Sequence, residues 1–221
     1  MEVLLHKPRE EVVHFYDPYN VGNRVRATVN INARDLEGKP FSIVAVQEFQ
    51  QHIGTGKFSF TDYVLKHTPT QGDPIDIVLR TCPVPGQSGQ DRLTILLWKE
   101  DEEPFSKDIY SAIQDGQRTG QFNITDDDNT TREYFRCHDH NGKPVKLPYS
   151  CTIANFGFNG DVIDPGYVTT TSVTMWDFMR DVTWPGDIVK PEYLFIQMDG
   201  VDKYIKMLVG YEINESRVTI V

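Results

Sequence analysis

Between residues 24 and 34 the chain alternates without a break. Val25, Ala27, Val29, Ile31 and Ala33 are apolar, and Arg24, Arg26, Thr28, Asn30, Asn32 and Arg34 around them are polar. A period of two belongs to a strand with one face on a core and the other in water. Asp35, Gly38 and Pro40 then supply turn chemistry, and the β-branched, apolar run 41–49 returns as an antiparallel partner, so a β-hairpin is predicted. Further strands are predicted over 75–81, 92–98, 132–137, 145–154, 193–199, 204–213 and 217–221. Asn141-Gly142 and Asp199-Gly200 are turn dipeptides between them, because Gly takes positive φ without strain. The closing strand needs a sheet edge to pair with, in the same chain or in a neighbour.

Two helices interrupt this pattern. Ser106 caps a predicted helix over 107–114, with Ile109, Ala112 and Ile113 on one face and Gly116 as its stop. Ser172 caps a second over 173–182, where Met175, Phe178, Met179 and Val182 form a core-packing stripe that Pro185-Gly186 ends. A third helix is predicted over 60–66. The Pro/Gly-rich stretches 82–89 and 157–166 read as surface loops. At 221 residues and 39% hydrophobic content the chain suits one domain with a core, preceded by a short N-terminal arm over about 1–20. The fold class is mainly β with a few short helices, an antiparallel β-sandwich decorated by α-helices.

The charge balance narrows the function. With 22 basic and 32 acidic side chains the net charge is −10, which argues against specific nucleic-acid binding and against an anionic membrane as partner. Apolar runs such as 43–46 and 93–98 fall far short of the roughly 20 residues that span a bilayer. The N-terminus lacks a basic start followed by an apolar region, so no secretory signal is expected and the cytoplasm is the expected location. Cys82, Cys137 and Cys151 are too few, and odd in number, for a disulfide framework, which agrees with a reducing compartment. The sequons at Asn123, Asn129 and Asn214 then read as chance matches.

The densest ligand-type cluster is Cys137-His138-Asp139-His140. In an extended segment His138 and His140 share one face and Cys137 the other, so two imidazoles can face a metal. Residues 141–145 contain no acid to complete the site, and the cluster reads as a hairpin edge, with no metal assigned. A metal-dependent enzyme centred on His138 and His140 is one alternative. Asp126-Asp127-Asp128-Asn129 lacks the spacing of a calcium loop and reads as an acidic turn, as does 99–103. No nucleophile elbow, phosphate loop or dinucleotide fingerprint occurs, and no residue is assigned a catalytic role. Tyr16, Tyr19, Tyr63, Tyr110, Tyr134, Tyr149, Tyr167 and Tyr193 combine an apolar body with a hydroxyl, a type that serves both cores and contact surfaces. A carbohydrate-binding module using Trp98, Trp176 or Trp184 as a stacking ring is the other alternative.

The order of elements resembles the cypovirus polyhedrins, proteins that crystallise inside infected insect cells around virus particles. The similarity runs through Arg9-Glu10, Tyr19-Asn20, the hairpin 24–49 and the strands 75–81 and 92–98. It continues through Tyr134-Phe135-Arg136, Asn141-Gly142-Lys143, the strand 150–154, Tyr167 and 173–178, the last matched to a helix. The resemblance implies a non-enzymatic β-sandwich protomer, trimers packed in a lattice, and occlusion bodies in the cytoplasm of the infected host cell. It requires no cofactor, allows nucleotide trapped in the lattice, and makes Cys82, Cys137 and Cys151 candidate thiols between molecules. It departs at residues 1–15, where the family has a polar helical arm and this chain is short and broken by Pro8. The family's lattice dissolves in an alkaline gut. Tyrosine hydroxyls sharing protons with Asp and Glu suit such a switch, because phenolate appears beside an acidic surface as pH nears about 10.

Overall fold

The alternation at 28–33 is realised as β1 (Thr28–Ile31): Val29, Ile31 and Ala33 are buried, while Thr28 and Asn30 are half-buried and Asn32 is exposed. Gly38 turns the chain at φ 77°, and β2 (Pro40–Ile53) returns antiparallel with Phe41 opposite Val29. The other edge of β1 takes β12 (Val218–Ile220), with Ile220 opposite Val29, so the closing strand finds its edge in its own chain. These details come from a computed structural model that describes residues 28–33, 36–53, 56–83, 92–138, 142–159, 162–199 and 204–220. Side chains at 52–53, 56–58, 83, 92, 157–159, 162–168 and 220 lie outside the description. The protein is mainly β, with one α-helix among the described residues.

The chain divides into two compact units, each built from separated stretches. Unit 1 comprises 1–98, 152–171 and 212–221. Its strands follow the order β12-β1-β2-β3-β4-β5, with β3 (Gly56–His67), β4 (Ile75–Pro83) and β5 (Arg92–Pro104). A further strand, β8 (Tyr149–Asn159), pairs with β2 from Val46 to Gln50. The helix predicted over 60–66 is instead part of β3, where Tyr63 stands opposite both Val46 and Leu79. Phe60, Thr61, Asp62 and Tyr63 are all buried, so this strand is covered on both faces and shows no period of two.

Unit 2 comprises 99–151 and 172–211. Its strand order is β11-β10-β9-β7-β6, where β6 is Gln121–Thr125, β7 Thr131–Arg136, β9 Val162–Trp184, β10 Ile188–Asp199 and β11 Tyr204–Ile213. The one helix, α1 (Lys107–Thr119), starts as expected, with Ser106 Oγ accepting from the Ile109 N–H at 3.2 Å. It does not stop at Gly116. It runs on to Gly120 at φ 79°, whose N–H donates to the Gly116 carbonyl at 2.8 Å. Gly116 is where the helix meets Phe122, whose Cδ2 would lie 3.0 Å from an added Cβ. Ile113 of α1 joins Phe122, Tyr134, Trp176, Phe178, Leu194 and Ile196 in the unit's core.

The second predicted helix, over 173–182, is a strand. Every residue from Val173 to Trp184 is paired with β10. The helical stripe merged two strand faces, because Met175 and Met179 lie on one and Phe178 and Val182 on the other. Residues 157–166 are not a surface loop either, since β8 runs to Asn159 and β9 begins at Val162. The stretch 82–89 lies outside the described residues beyond Pro83.

Candidate functional site

Residues directly opposite in antiparallel strands share a face. In unit 2 the register sets Phe135 opposite both Gln121 and Met179, and Met179 opposite Tyr193. This row lies on the face away from α1, because its strand neighbours Tyr134, Phe178 and Leu194 are the ones that pack with Ile113. Phe135 is 50% exposed, and Met179 and Tyr193 are half-buried. Two and four residues before Tyr193, the same face of β10 carries Pro191 and Val189, the latter 58% exposed. Ile188 at the hairpin tip is 53% exposed on the opposite face. The Tyr193 ring lies parallel to that of Phe195, with centroids 5.8 Å apart. The result is an apolar strip on a well-paired sheet.

The helix-side face of the same strands carries a polar network. Tyr134 Oη donates to Glu192 Oε1 at 2.8 Å and accepts from Arg132 Nη1 at 3.2 Å. Arg180 Nε donates to the same Glu192 oxygen at 2.7 Å, and its guanidinium carbon lies 5.2 Å from the centre of the Tyr134 ring. Arg132 is held between Asp126, at 2.6 Å, and Glu100. Desolvation raises the Tyr134 pKa above the usual phenol value, and the Glu192 carboxylate pushes it further up, while Arg132 and Arg180 oppose them. The phenol is therefore held protonated, and both guanidinium groups already have carboxylate partners. The network fastens β7, β9 and β10 together and presents no reactive group.

The other expected residues fall in varied places. Tyr149 lies against the unit 2 core and donates to Asp177 Oδ2 at 2.7 Å. Tyr110 is half-buried, its ring 5.3 Å from that of Phe105. Tyr63 is buried in unit 1. Tyr16 and Tyr19 lie outside the described residues, as does the side chain of Tyr167. Cys137 is buried, and its N–H donates to the Asp177 carbonyl at 3.3 Å. Burial, then the Asp177 charge, raises its thiol pKa far above the usual range, the reverse of what a nucleophile needs. Cys151 is buried and Cys82 half-buried. His138 is exposed and bridges to Pro144, while His140 lies outside the description. Among the described residues no group of three or more His, Cys, Asp or Glu side chains is placed to hold a metal ion.

Trp176 sits in the unit 2 core, with Nε1 donating to Gln117 Oε1 at 3.1 Å, so it offers no stacking face. Trp98 and Trp184 are half-buried, and Trp184 packs edge-on against Tyr211 at 4.9 Å. Sequence reasoning missed Arg132, Arg180 and Glu192, which are far apart in the chain and meet only through the register of β7, β9 and β10. It also separated Asp126 and Glu100 into two solvated acidic runs, although Arg132 joins them. No helix among the described residues is long and apolar enough to cross a membrane. Comparison with protein-family models, with curated proteins and with solved structures gives no match to this chain.

Proposed function

We propose that the chain is a structural protein that assembles with copies of itself, as its resemblance to the cypovirus polyhedrins implies. The observation that carries this reading is the strip of Phe135, Met179, Tyr193 and Val189 on the unit 2 face away from α1. One exposed apolar side chain is ordinary, whereas several on one rigid face make a contact surface. An aromatic, a methionine and a tyrosine are the residue types enriched in such contacts. The sandwich protomer, the trimer, the lattice around virus particles in the host cytoplasm, and trapped nucleotide follow from the resemblance. The chain acts on no substrate in this reading.

Dissolution at alkaline pH also follows from the resemblance, and the buried Tyr134, held protonated beside Glu192, is not its trigger. Light microscopy of insect cells expressing the full chain tests the reading. Intracellular crystals that clear at alkaline but not neutral pH are expected. A purified protein that stays monomeric at every concentration in analytical ultracentrifugation would overturn it.

A further inference from the structure

One transverse row of the unit 1 sheet is polar where its neighbour is apolar. The register sets Ala154, Glu48, Thr61, Thr81 and Thr94 opposite one another across β8, β2, β3, β4 and β5. The next row on the same face, Phe156, Val46, Tyr63, Leu79 and Leu96, is the buried apolar packing expected of a core. Glu48, Thr61, Thr81 and Thr94 are just as deeply buried, none more than 2% exposed. Gln50 donates to Glu48 Oε1 at 3.0 Å. The hydroxyls of Thr61 and Thr94 have no hydrogen-bond partner among the described residues.

A buried hydroxyl without a partner is costly, and two in one row call for something that satisfies them. Geometry says what fits. Paired strands lie about 4.8 Å apart, and neither the Thr61 nor the Thr94 hydroxyl makes a bond of about 2.8 Å to Thr81, which stands between them. Two such bonds meeting at one small molecule, at an angle of about 118°, span that gap. The bridging molecule must accept from one hydroxyl and donate to the next, which water does and a metal cation does not. A single carboxylate in the row is also a poor ligand set for a divalent ion.

We propose that this row is a site for internal water, with one molecule between Thr61 and Thr81 and another between Thr81 and Thr94. Crystals of the full chain diffracting well enough to show solvent are expected to have density at both positions. Thr61→Val and Thr94→Val keep side-chain shape but orphan a water. Each is expected to lower the folding equilibrium constant about five- to tenfold in denaturant titration, the worth of one buried hydrogen bond. Valine variants as stable as the parent, or more so, would show the hydroxyls to be dry and overturn the proposal. So would stability that rises in NaCl or KCl over equal tetramethylammonium chloride, which would mark a cation. Should a valine variant fail to fold, the solvent density in crystals of the parent still decides: empty positions overturn the site.

Discussion

Glu192 Oε1 accepts both the Tyr134 hydroxyl, at 2.8 Å, and the Arg180 Nε–H, at 2.7 Å, so one carboxylate oxygen joins β7 and β9 to β10. The Tyr134 side chain is fully buried, and its hydroxyl is the only polar part of a ring that packs with Phe122 and Phe178. A core ring therefore reports on a charge network.

That relationship sets the alkaline behaviour of unit 2. The Tyr134 pKa in the fold stands above the unfolded value of about 10, first from desolvation and then from Glu192. The folded state holds the proton more tightly, so its stabilising effect is complete below pH 10 and is lost as pH rises from there toward the folded value. Denaturant midpoints measured from pH 8 to 11.5 are expected to fall on the alkaline side. Tyr134→Phe is expected to flatten that fall while costing about 1 kcal/mol at pH 8.

In unit 1, Arg80 and Asp62 form a two-pronged ion pair at 2.8 and 2.9 Å, almost wholly buried. The guanidinium lies 4.3 Å from the centre of the Phe60 ring, which itself stacks on Phe49 at 4.5 Å. Asp62→Asn strands a buried cation and is expected to cost about 3–5 kcal/mol in urea unfolding. Replacing both residues, as Asp62→Leu with Arg80→Met, is expected to recover most of that loss. A double variant no better than Asp62→Asn would contradict this account.

Gly116→Ala gives α1 a better helix former, worth about 1 kcal/mol. The new Cβ would also lie 3.0 Å from Phe122 Cδ2 and 3.1 Å from the Gln121 carbonyl oxygen, a backbone atom that cannot swing aside. Overpacking of this kind costs about 1–3 kcal/mol, so the variant is expected to melt below the parent in a thermal scan.

The cysteines are expected to differ in reactivity. Cys82 is half-buried, whereas Cys137 and Cys151 are buried, and Cys137 has a thiol pKa raised by burial and by Asp177. Iodoacetamide at pH 8 followed by peptide mass mapping should label Cys82 first in the native protein, and all three at similar rates in urea.

Assembly is expected to respond to the apolar strip alone. Phe135→Ser with Val189→Ser exchanges exposed apolar surface and leaves the helix-side core intact. The pair should abolish crystals in expressing cells while leaving the far-ultraviolet circular dichroism unchanged.

Much of unit 1 was legible in the sequence because β1 has one wet and one dry face, and its period of two survives in Val29, Ile31 and Ala33. β3 and β9 were misread for one reason. When both faces of a strand are buried, apolar residues appear at spacings that a helix also produces, and Met175, Phe178, Met179 and Val182 do so. The cap of α1 was readable from Ser106, but its end was not, since Gly116 serves packing and Gly120 the turn. The tyrosines were visible as a residue type. Their partners were not, because Glu192 and Asp177 lie 58 and 28 residues from Tyr134 and Tyr149.

The boundaries between the units fall at 98/99, 151/152, 171/172 and 211/212, each inside a strand. No single cut of the gene therefore releases either half as a continuous polypeptide. A protease nick in a connecting loop removes no complete sheet, and dissecting this molecule calls for circular permutation or split-chain co-expression in place of truncation.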